Sequence, residues 1–114
     1  MDSITVSKKV NEVIRNFQHG DRVKRVGLFG SVARGEATAE SDIDLLIDFL
    51  RDDFVESNPL FAFEKMYMFN TSLRDAFNPV ELTIMDVESI DDEYNYWLKE
   101  AIEEDLVWIY DAKH

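Results

Sequence analysis

The sequence predicts an α+β fold in which a small mixed β-sheet is covered by helices. Short apolar or alternating runs predict three strands, and segments with helical spacing stand between them. The predicted order is helix, strand, helical turn, strand, helix, strand, helix. With 114 residues and an ordinary apolar share, the chain fits a single domain spanning residues 1–114.

The first half of the chain supplies one helix and two strands. Apolar residues between positions 4 and 17 have mostly helical spacing, and Gly20 indicates where that helix stops. Residues 23–29 are predicted as a strand. A turn of small and polar residues follows, with one helical turn starting at Ser31. Residues 42–49 alternate at first and then become apolar, as a mostly buried strand would.

The second half continues the alternation of helix and strand. Acidic residues at the start of the last predicted helix complement its dipole. We predict, in order, a polar loop at 52–58, a helix at about 60–76, a turn at Asn78-Pro79, a strand at 80–85, a helix at 90–104 and an extended tail at 106–110 that packs back.

The charge balance limits the possible partners. A net charge of −12 argues against nucleic acid held by phosphate neutralisation and fits a partner with a basic surface. Arg22, Lys24 and Arg25 could form a local basic patch, but solvated charges flanking a strand are the simpler interpretation. The absence of cysteine excludes disulfides, zinc–thiolate sites and thiol nucleophiles. Since no stretch approaches the roughly 20 apolar residues that span a membrane, we expect a soluble, cytoplasmic protein.

The first candidate site residues, Gly30 and Ser31, stand where a predicted strand ends. Glycine lets the backbone turn sharply and lets a ligand approach it closely. Free amide groups at a helix start favour an anion such as phosphate, and the Ser31 hydroxyl can add a donor. Alone, this pair is weak evidence, because many loops contain it.

Two aspartates, Asp42 and Asp44, begin the next predicted strand and therefore leave it on the same face. Their Cα atoms would lie about 7 Å apart. Carboxylates at that spacing can converge on two cations roughly 3.5–4 Å apart, for which Mg²⁺ is the natural choice. An Asp-x-Asp pair alone favours solvated strand-end residues, but two aspartates entering an apolar strand are less expected, because buried unpaired charge is costly.

A two-metal site for phosphoryl chemistry needs one more carboxylate beside the attacking nucleophile. Glu81 is the best candidate, because it lies between Val80 and Leu82 in a predicted strand. A neighbouring strand could bring it beside the two aspartates. Asp48 and Asp86 rank lower, because they fall at strand ends and are expected to face water.

These residues resemble the signature of the DNA polymerase β-type nucleotidyltransferases. The matching stretches are Gly30-Ser31-Val32-Ala33-Arg34-Gly35 and Ser41-Asp42-Ile43-Asp44-Leu45. The short chain is similar to the minimal nucleotidyltransferase (MNT) group, whose members are often the antitoxin of a module with a helical HEPN-domain toxin. The match is specific over residues 30–45, and the predicted element order agrees with the family core over about 23–86.

The resemblance implies a role for each matching residue. Gly30 and Ser31 would hold the triphosphate, and Ser41 belongs to the same motif and nucleotide site. Asp42 and Asp44 would bind two Mg²⁺ ions and so serve as catalytic metal ligands.

Two further roles follow from the resemblance. Glu81 falls at the family's third carboxylate, which binds one metal and helps to activate the acceptor hydroxyl. This residue is most often aspartate in the family, so glutamate is a departure. Arg34 matches the family's arginine, and its role is either electrostatic support for phosphate or a contact with the partner.

The expected function is transfer of AMP from ATP to a tyrosine hydroxyl of a HEPN toxin, within a hetero-oligomer, so that the toxin is disabled. A binding antitoxin that blocks its toxin by contact alone is the main alternative. Transfer to a small molecule ranks lower, because the chain has no added helical substrate domain. Nucleic-acid polymerisation ranks lower because no basic groove is evident.

Overall fold

The computed structural model describes residues 1–50, 59–91 and 96–112. The described part of the chain forms a four-stranded sheet in the order β3-β2-β1-β4. The strands are β1 (Val23–Phe29), β2 (Ile43–Phe49), β3 (Leu82–Asp86) and β4 (Val107–Asp111). Strand β1 is antiparallel to β2 and β4, whereas β2 and β3 are parallel. The predicted α+β class with a mixed sheet is therefore confirmed.

Helices cover both faces of this sheet. They are α1 (Ser3–Asn16), a short 3₁₀ helix (Gly20–Arg22), α2 (Gly30–Arg34), α3 (Pro59–Phe77), α4 (Val87–Ile90) and α5 (Tyr96–Asp105). Side chains cap two of them: the Asp2 carboxylate accepts a bond from the Thr5 N–H, and the Asp86 carboxylate accepts one from the Glu88 N–H. None of the described helices is long and apolar enough to cross a membrane.

The pleat of β2 divides its residues between two apolar environments. Ile43, Leu45 and Ile47 belong to the main core, which α1 and α3 close. Leu46 leaves the opposite face and packs with residues of α4 and α5 in a smaller second cluster. The strand is thus apolar on both faces near its centre, which explains why its sequence reads as a continuous apolar run.

The extended tail predicted at 106–110 packs back as expected, and it does so as a strand of the sheet, which was not predicted. Val107–Asp111 forms β4 and pairs antiparallel with β1. Its pairing partner is about 80 residues earlier in the chain, so no local pattern reveals the ladder. The sheet consequently has one strand more than predicted.

Several other boundaries also differ from the predictions. The strand predicted at 80–85 is Leu82–Asp86, and the strand predicted from 42 begins at Ile43. The helical turn begins at Gly30 rather than Ser31. The helix predicted at 90–104 is replaced by α4, which ends at Ile90, and by α5, whereas residues 92–95 and the predicted loop at 52–58 lie outside the described residues.

Helix side chains bond to both edges of the sheet. On β3, the Leu82 carbonyl accepts a bond of 2.7 Å from the Arg74 guanidinium of α3. On β4, the Ile109 carbonyl accepts bonds from the Ser7 hydroxyl and the Asn11 amide of α1, at 3.3 and 3.1 Å. Exposed edge strands can pair with other chains, so these donors protect the two edges.

Replacing Phe69 by alanine should lower the free energy of unfolding by about 3–5 kcal/mol. The Phe69 side chain is fully buried, and its ring centroid lies 5.4 Å from that of Phe17 and 5.9 Å from that of Phe49. Urea denaturation measures the change. Tyr67→Ala on the same helix is the control, because Tyr67 is 72% exposed; it should change stability by less than about 0.5 kcal/mol. Equal losses in the two variants would contradict this packing.

Candidate functional site

Gly30 occupies the sharp junction between β1 and α2. Its φ angle is +76°, a left-handed conformation that disfavours residues with a Cβ. A Cβ at this position would also overlap the carboxylate of Asp44. The preceding residue, Phe29, pairs with Asp44 across the β1–β2 ladder. Both the turn and the neighbouring carboxylate therefore require glycine here.

Ser31 is the second residue of α2 and is half-buried. Its carbonyl accepts the N–H groups of Gly35 and Glu36, and these bonds close the short helix. Gly35 has a φ of +74° and ends the helix in the left-handed conformation usual for such caps. The motif from Gly30 to Gly35 thus folds as one compact turn that starts against Asp44.

Asp42 and Asp44 lie on one face of the chain, as predicted, but in different surroundings. Asp42 precedes β2 and is exposed, whereas Asp44 lies within the strand and is half-buried. Ile43 between them is 1% exposed and points into the main core. The buried isoleucine fixes both carboxylates on the opposite side of the sheet.

The surroundings of Asp44 disfavour its charge in the isolated chain. Burial is the largest effect and raises the pKa of Asp44, and the nearby Asp42 charge raises it further. A hydrogen bond from Thr83 and the positive charge of Arg34 lower the pKa, but they do not offset burial. A cation bound by Asp44 would reverse this balance, because it would stabilise the ionised carboxylate.

Glu81 lies immediately before β3 and is exposed, so its prediction as a strand residue is wrong by one position. The Ile43 N–H donates to the Glu81 carbonyl at 3.0 Å. In the parallel ladder Ile43 pairs with Leu82 and Asp44 pairs with Thr83. Extending this register by one residue places Glu81 beside Asp42, at the same end of the sheet.

Thr83 lies beside the candidate carboxylates and was not predicted from the sequence. It pairs with Asp44 in the β2–β3 ladder, and its side chain hydrogen-bonds the Asp44 carboxylate. The signal that could have found it is its position two residues after Glu81, on the same face of a period-2 strand. Thr83 therefore ties β3 to the carboxylate that Gly30 approaches from β1.

The carboxylates offer an open set of oxygen ligands. Within residues 1–50, 59–91 and 96–112, no three acidic or histidine side chains already converge as a cation site. Magnesium uses one or two carboxylates and completes its octahedral shell with water and phosphate oxygens. Asp42 and the half-buried Asp44 lie on one face and fit that requirement. Glu81 lies at the edge of the same candidate site.

Arg34 extends from the last turn of α2 to two carboxylates. Its Nε atom donates to Glu36 at 2.9 Å, and its Nη1 atom donates to Asp105 at 2.6 Å. The bonds to Glu36 and Asp105 raise the pKa of Arg34. Asp105, at the end of α5, was not predicted as a site residue, because 71 positions separate it from Arg34.

Ser41 shapes the chain just before β2. Its hydroxyl accepts a bond of 2.9 Å from the Thr38 N–H, and its own N–H donates to the Thr38 carbonyl at 3.1 Å. These bonds form a turn that delivers Asp42 to the start of the strand. A direct contact between Ser41 and nucleotide stays a prediction.

The competing carboxylates have structural roles elsewhere. Asp48 does not face water as expected; its side chain is 13% exposed and accepts bonds from Arg25 at 2.9 and 3.1 Å. Arg25 also lies over the ring of Trp108, 4.0 Å from its centroid, so it is not the solvated charge that was expected. Asp86 caps α4. Their lower ranking as metal ligands stays a prediction, and for Asp48 the reason given for it, exposure to water, is wrong.

Gly30→Ala should destabilise the fold more than Gly35→Ala does. Both glycines have positive φ, so both alanines should cost about 1–2 kcal/mol. A Cβ at Gly30 also meets Asp44, whereas a Cβ at Gly35 has open space around it. Denaturation midpoints measure the difference. Pairing Gly30→Ala with Asp44→Gly should remove the excess cost, and an unchanged excess would show that the contact is unimportant.

Asp44→Asn should raise the melting temperature by about 1–3 °C at pH 7 without added metal. The raised pKa of Asp44, caused mainly by burial, means that ionisation opposes folding. This penalty is present above the folded-state pKa and disappears as the pH falls below the unfolded value of 3.8, so the variant and parent should converge there.

The matched control for this variant is Asp75→Asn on an exposed position of α3. It removes one charge from the same acidic chain without relieving burial. Thermal scans of both variants from pH 3.5 to 7 separate the two effects. An equal gain from Asp75→Asn would assign the stabilisation to net charge alone.

Two solved structures share this fold. A Sulfolobus solfataricus protein described as a nucleotidyltransferase aligns with a TM-score of 0.55 at 25% identity, covering 96% of this chain and 84% of its own. A chain from a toxin–antitoxin structure with AMP-PNP aligns with a TM-score of 0.56, covering 94% of this chain and 74% of its own. At 15% identity, the second likeness concerns the fold alone.

Relatives at the level of sequence include proteins named as protein adenylyltransferases. MJ1379 of Methanocaldococcus jannaschii is 33% identical over 88 residues, which cover 77% of this chain and 78% of that protein. MJ0126 of the same organism is 34% identical over 88 residues, which again cover 77% of this chain and 78% of that protein. MntA of Thermococcus cleftensis is 56% identical over 27 residues, which cover 24% of this chain and 27% of that protein.

The profile of the family described as "Nucleotidyltransferase domain" matches residues 6–113. The match spans all four strands and the junction at Gly30, and the two aspartates lie within it. The chain therefore belongs to the nucleotidyltransferase domain family, within the group of adenylyltransferases that these relatives form.

Proposed function

We propose that this chain is a Mg²⁺-dependent antitoxin that transfers AMP from ATP to a tyrosine hydroxyl of a HEPN-domain toxin and thereby neutralises it. The observation that carries the proposal is the pair Asp42 and Asp44 on one face of the sheet, with the Gly30 backbone against Asp44. The relatives named as protein adenylyltransferases support a protein acceptor. The fold neighbour from a toxin–antitoxin structure with AMP-PNP supports both the nucleotide and the partner class.

Asp42 and Asp44 would hold the metal, with Glu81 as the third carboxylate. Bound Mg²⁺ supplies charge neutralisation for the triphosphate. Gly30 lets the backbone lie directly against Asp44, and Ser31 with the Arg34 guanidinium would offer donors to phosphate oxygens.

The transfer step follows from these positions. The acceptor oxygen forms a bond with the α-phosphorus, the bond to the β-phosphate bridging oxygen breaks, and pyrophosphate leaves. The proton of the acceptor hydroxyl passes to Glu81 or to water beside it. Glu81 is exposed at the edge of the site, where a protein side chain can reach it. Glu81 and Asp42 each lie one residue before a strand, and the β2–β3 register places them side by side.

A non-catalytic antitoxin is the second candidate. One observation favours it: the net charge of −12 suits contact with a basic protein. If the protein neutralises the toxin by binding alone, Asp42 and Asp44 are not needed for neutralisation.

The direct test mixes the protein with Mg²⁺, ATP and the product of the neighbouring gene. Label on the α-phosphate of ATP should appear on the partner, whereas label on the γ-phosphate should not. Asp42→Ala and Asp44→Ala should each lower transfer on the order of 10²–10³-fold. Glu81→Gln should lower it about 10²-fold, and Glu81→Asp should retain most of it.

The matched control is Asp75→Ala, an exposed carboxylate on α3 outside the site. It should transfer AMP at the parental rate. Absence of α-label from the partner, together with rescue of cell growth by the Asp42→Ala, Asp44→Ala double variant, would replace the enzymatic proposal by the binding one. Label from the γ-phosphate would instead indicate a phosphoryl transferase.

A further inference from the structure

The guanidinium of Arg34 is held by carboxylates from two different parts of the chain. Glu36 follows α2 by two residues, whereas Asp105 is the last residue of α5. The two bonds therefore fix Arg34 both to its own turn and to a distant helix. Sequence proximity explains the first contact but not the second.

This ion pair has little value for stability. The Arg34 side chain is 43% exposed, and exposed ion pairs contribute little to the free energy of folding. Its more important effect is on position, because an arginine side chain has several rotatable bonds and samples many orientations unless it is held. Asp105, with a side chain that is 20% exposed, is the more enclosed member of the pair and provides the fixed end.

The direction in which Arg34 is held matters because of where α2 begins. This helix has five residues, so Arg34 lies only about 6 Å along the axis from Gly30. Gly30 abuts the Asp44 carboxylate, so the helix that carries Arg34 begins beside that carboxylate. The bonds to Glu36 and Asp105 therefore hold the Arg34 cation near the start of α2, where the proposed triphosphate would lie.

These two bonds also leave N–H groups of Arg34 that can donate to a further anion. A guanidinium has five N–H groups in a planar fork. Within the described part of the chain, Glu36 engages Nε and Asp105 engages Nη1. The two N–H groups of Nη2 then remain to donate to a phosphate oxygen.

We propose that Asp105 is a positioning residue for nucleotide, holding the Arg34 guanidinium so that its remaining donors face the triphosphate of ATP. The inference rests on the proposed function, since it takes the ligand of this site to be ATP. This role falls on Asp105 at the end of α5, which lies outside the motif at residues 30–45. The same position explains why an acidic residue lies beside a site that binds an anion: it orients the cation between them.

The test compares Asp105→Asn with the parent by titration calorimetry using Mg²⁺ and ATP. The variant should bind Mg·ATP about 5–10-fold more weakly, and in the transfer assay KM for ATP should rise by the same factor while kcat changes less than about twofold. Asp105→Glu should restore affinity. Glu104→Gln, an exposed neighbour on the same helix, is the matched control and should bind as the parent does.

A charge swap separates positioning from a structural role. Arg34→Asp combined with Asp105→Arg can re-form the ion pair and recover any lost melting temperature, but it should not recover ATP affinity, because the guanidinium then stands on α5. Recovery of affinity by the swap, or unchanged or tighter ATP binding by Asp105→Asn, would overturn the inference. A parent that binds ATP but does not transfer AMP would overturn the proposed function alone, whereas a parent that does not bind ATP would overturn both.

Discussion

The contact between the Gly30 backbone and the Asp44 carboxylate is the constraint on which the site depends. It exists because β1 and β2 are antiparallel neighbours and Phe29 pairs with Asp44. The end of one strand therefore meets the beginning of the other, and the turn into α2 must pass beside a charged group. Only glycine combines the required φ with the missing Cβ. The Gly-Ser turn and the Asp-x-Asp pair, eleven positions apart, thereby form one structural unit.

The same geometry makes Asp44 costly to the isolated fold. Its strand must be apolar to fill the main core on one face and to support α4 and α5 on the other. A carboxylate at the start of such a strand loses water, and burial raises the pKa of Asp44 accordingly. Thr83 and Arg34 compensate only in part. A cation bound by Asp44 would remove this penalty, because it would stabilise the ionised carboxylate.

Local patterns predicted the centre of the site, because its main determinants lie close together in sequence. The turn at Gly30, the shared face of Asp42 and Asp44, and the class of the sheet all follow from spacing and strand periodicity. The start of β3 was placed too early, because Glu81 contributes its carbonyl to the ladder without being a strand residue itself.

Contacts between distant positions could not be predicted in this way. The bond from Thr83 to Asp44 depends on the parallel register of β2 and β3. The pairing of β4 with β1 and the bond between Arg34 and Asp105 join residues some 70–85 positions apart. Such contacts follow from topology, and no alternation within a single segment encodes the partner of a strand or an ion pair.

The C-terminal segment therefore helps to position the residues of the candidate site. Ile102 of α5 packs in the second cluster with Leu46, which lies two residues beyond Asp44 on the same face of β2. That packing fixes the height of α5 above the sheet, and the helix then ends at Asp105, within reach of Arg34. Immediately afterwards β4 joins β1, the strand that leads into Gly30. The packing of Ile102 on Leu46 and the pairing of β4 with β1 thus set the position of the Asp105 carboxylate. Asp105 in turn sets the direction of the Arg34 guanidinium beside the proposed nucleotide.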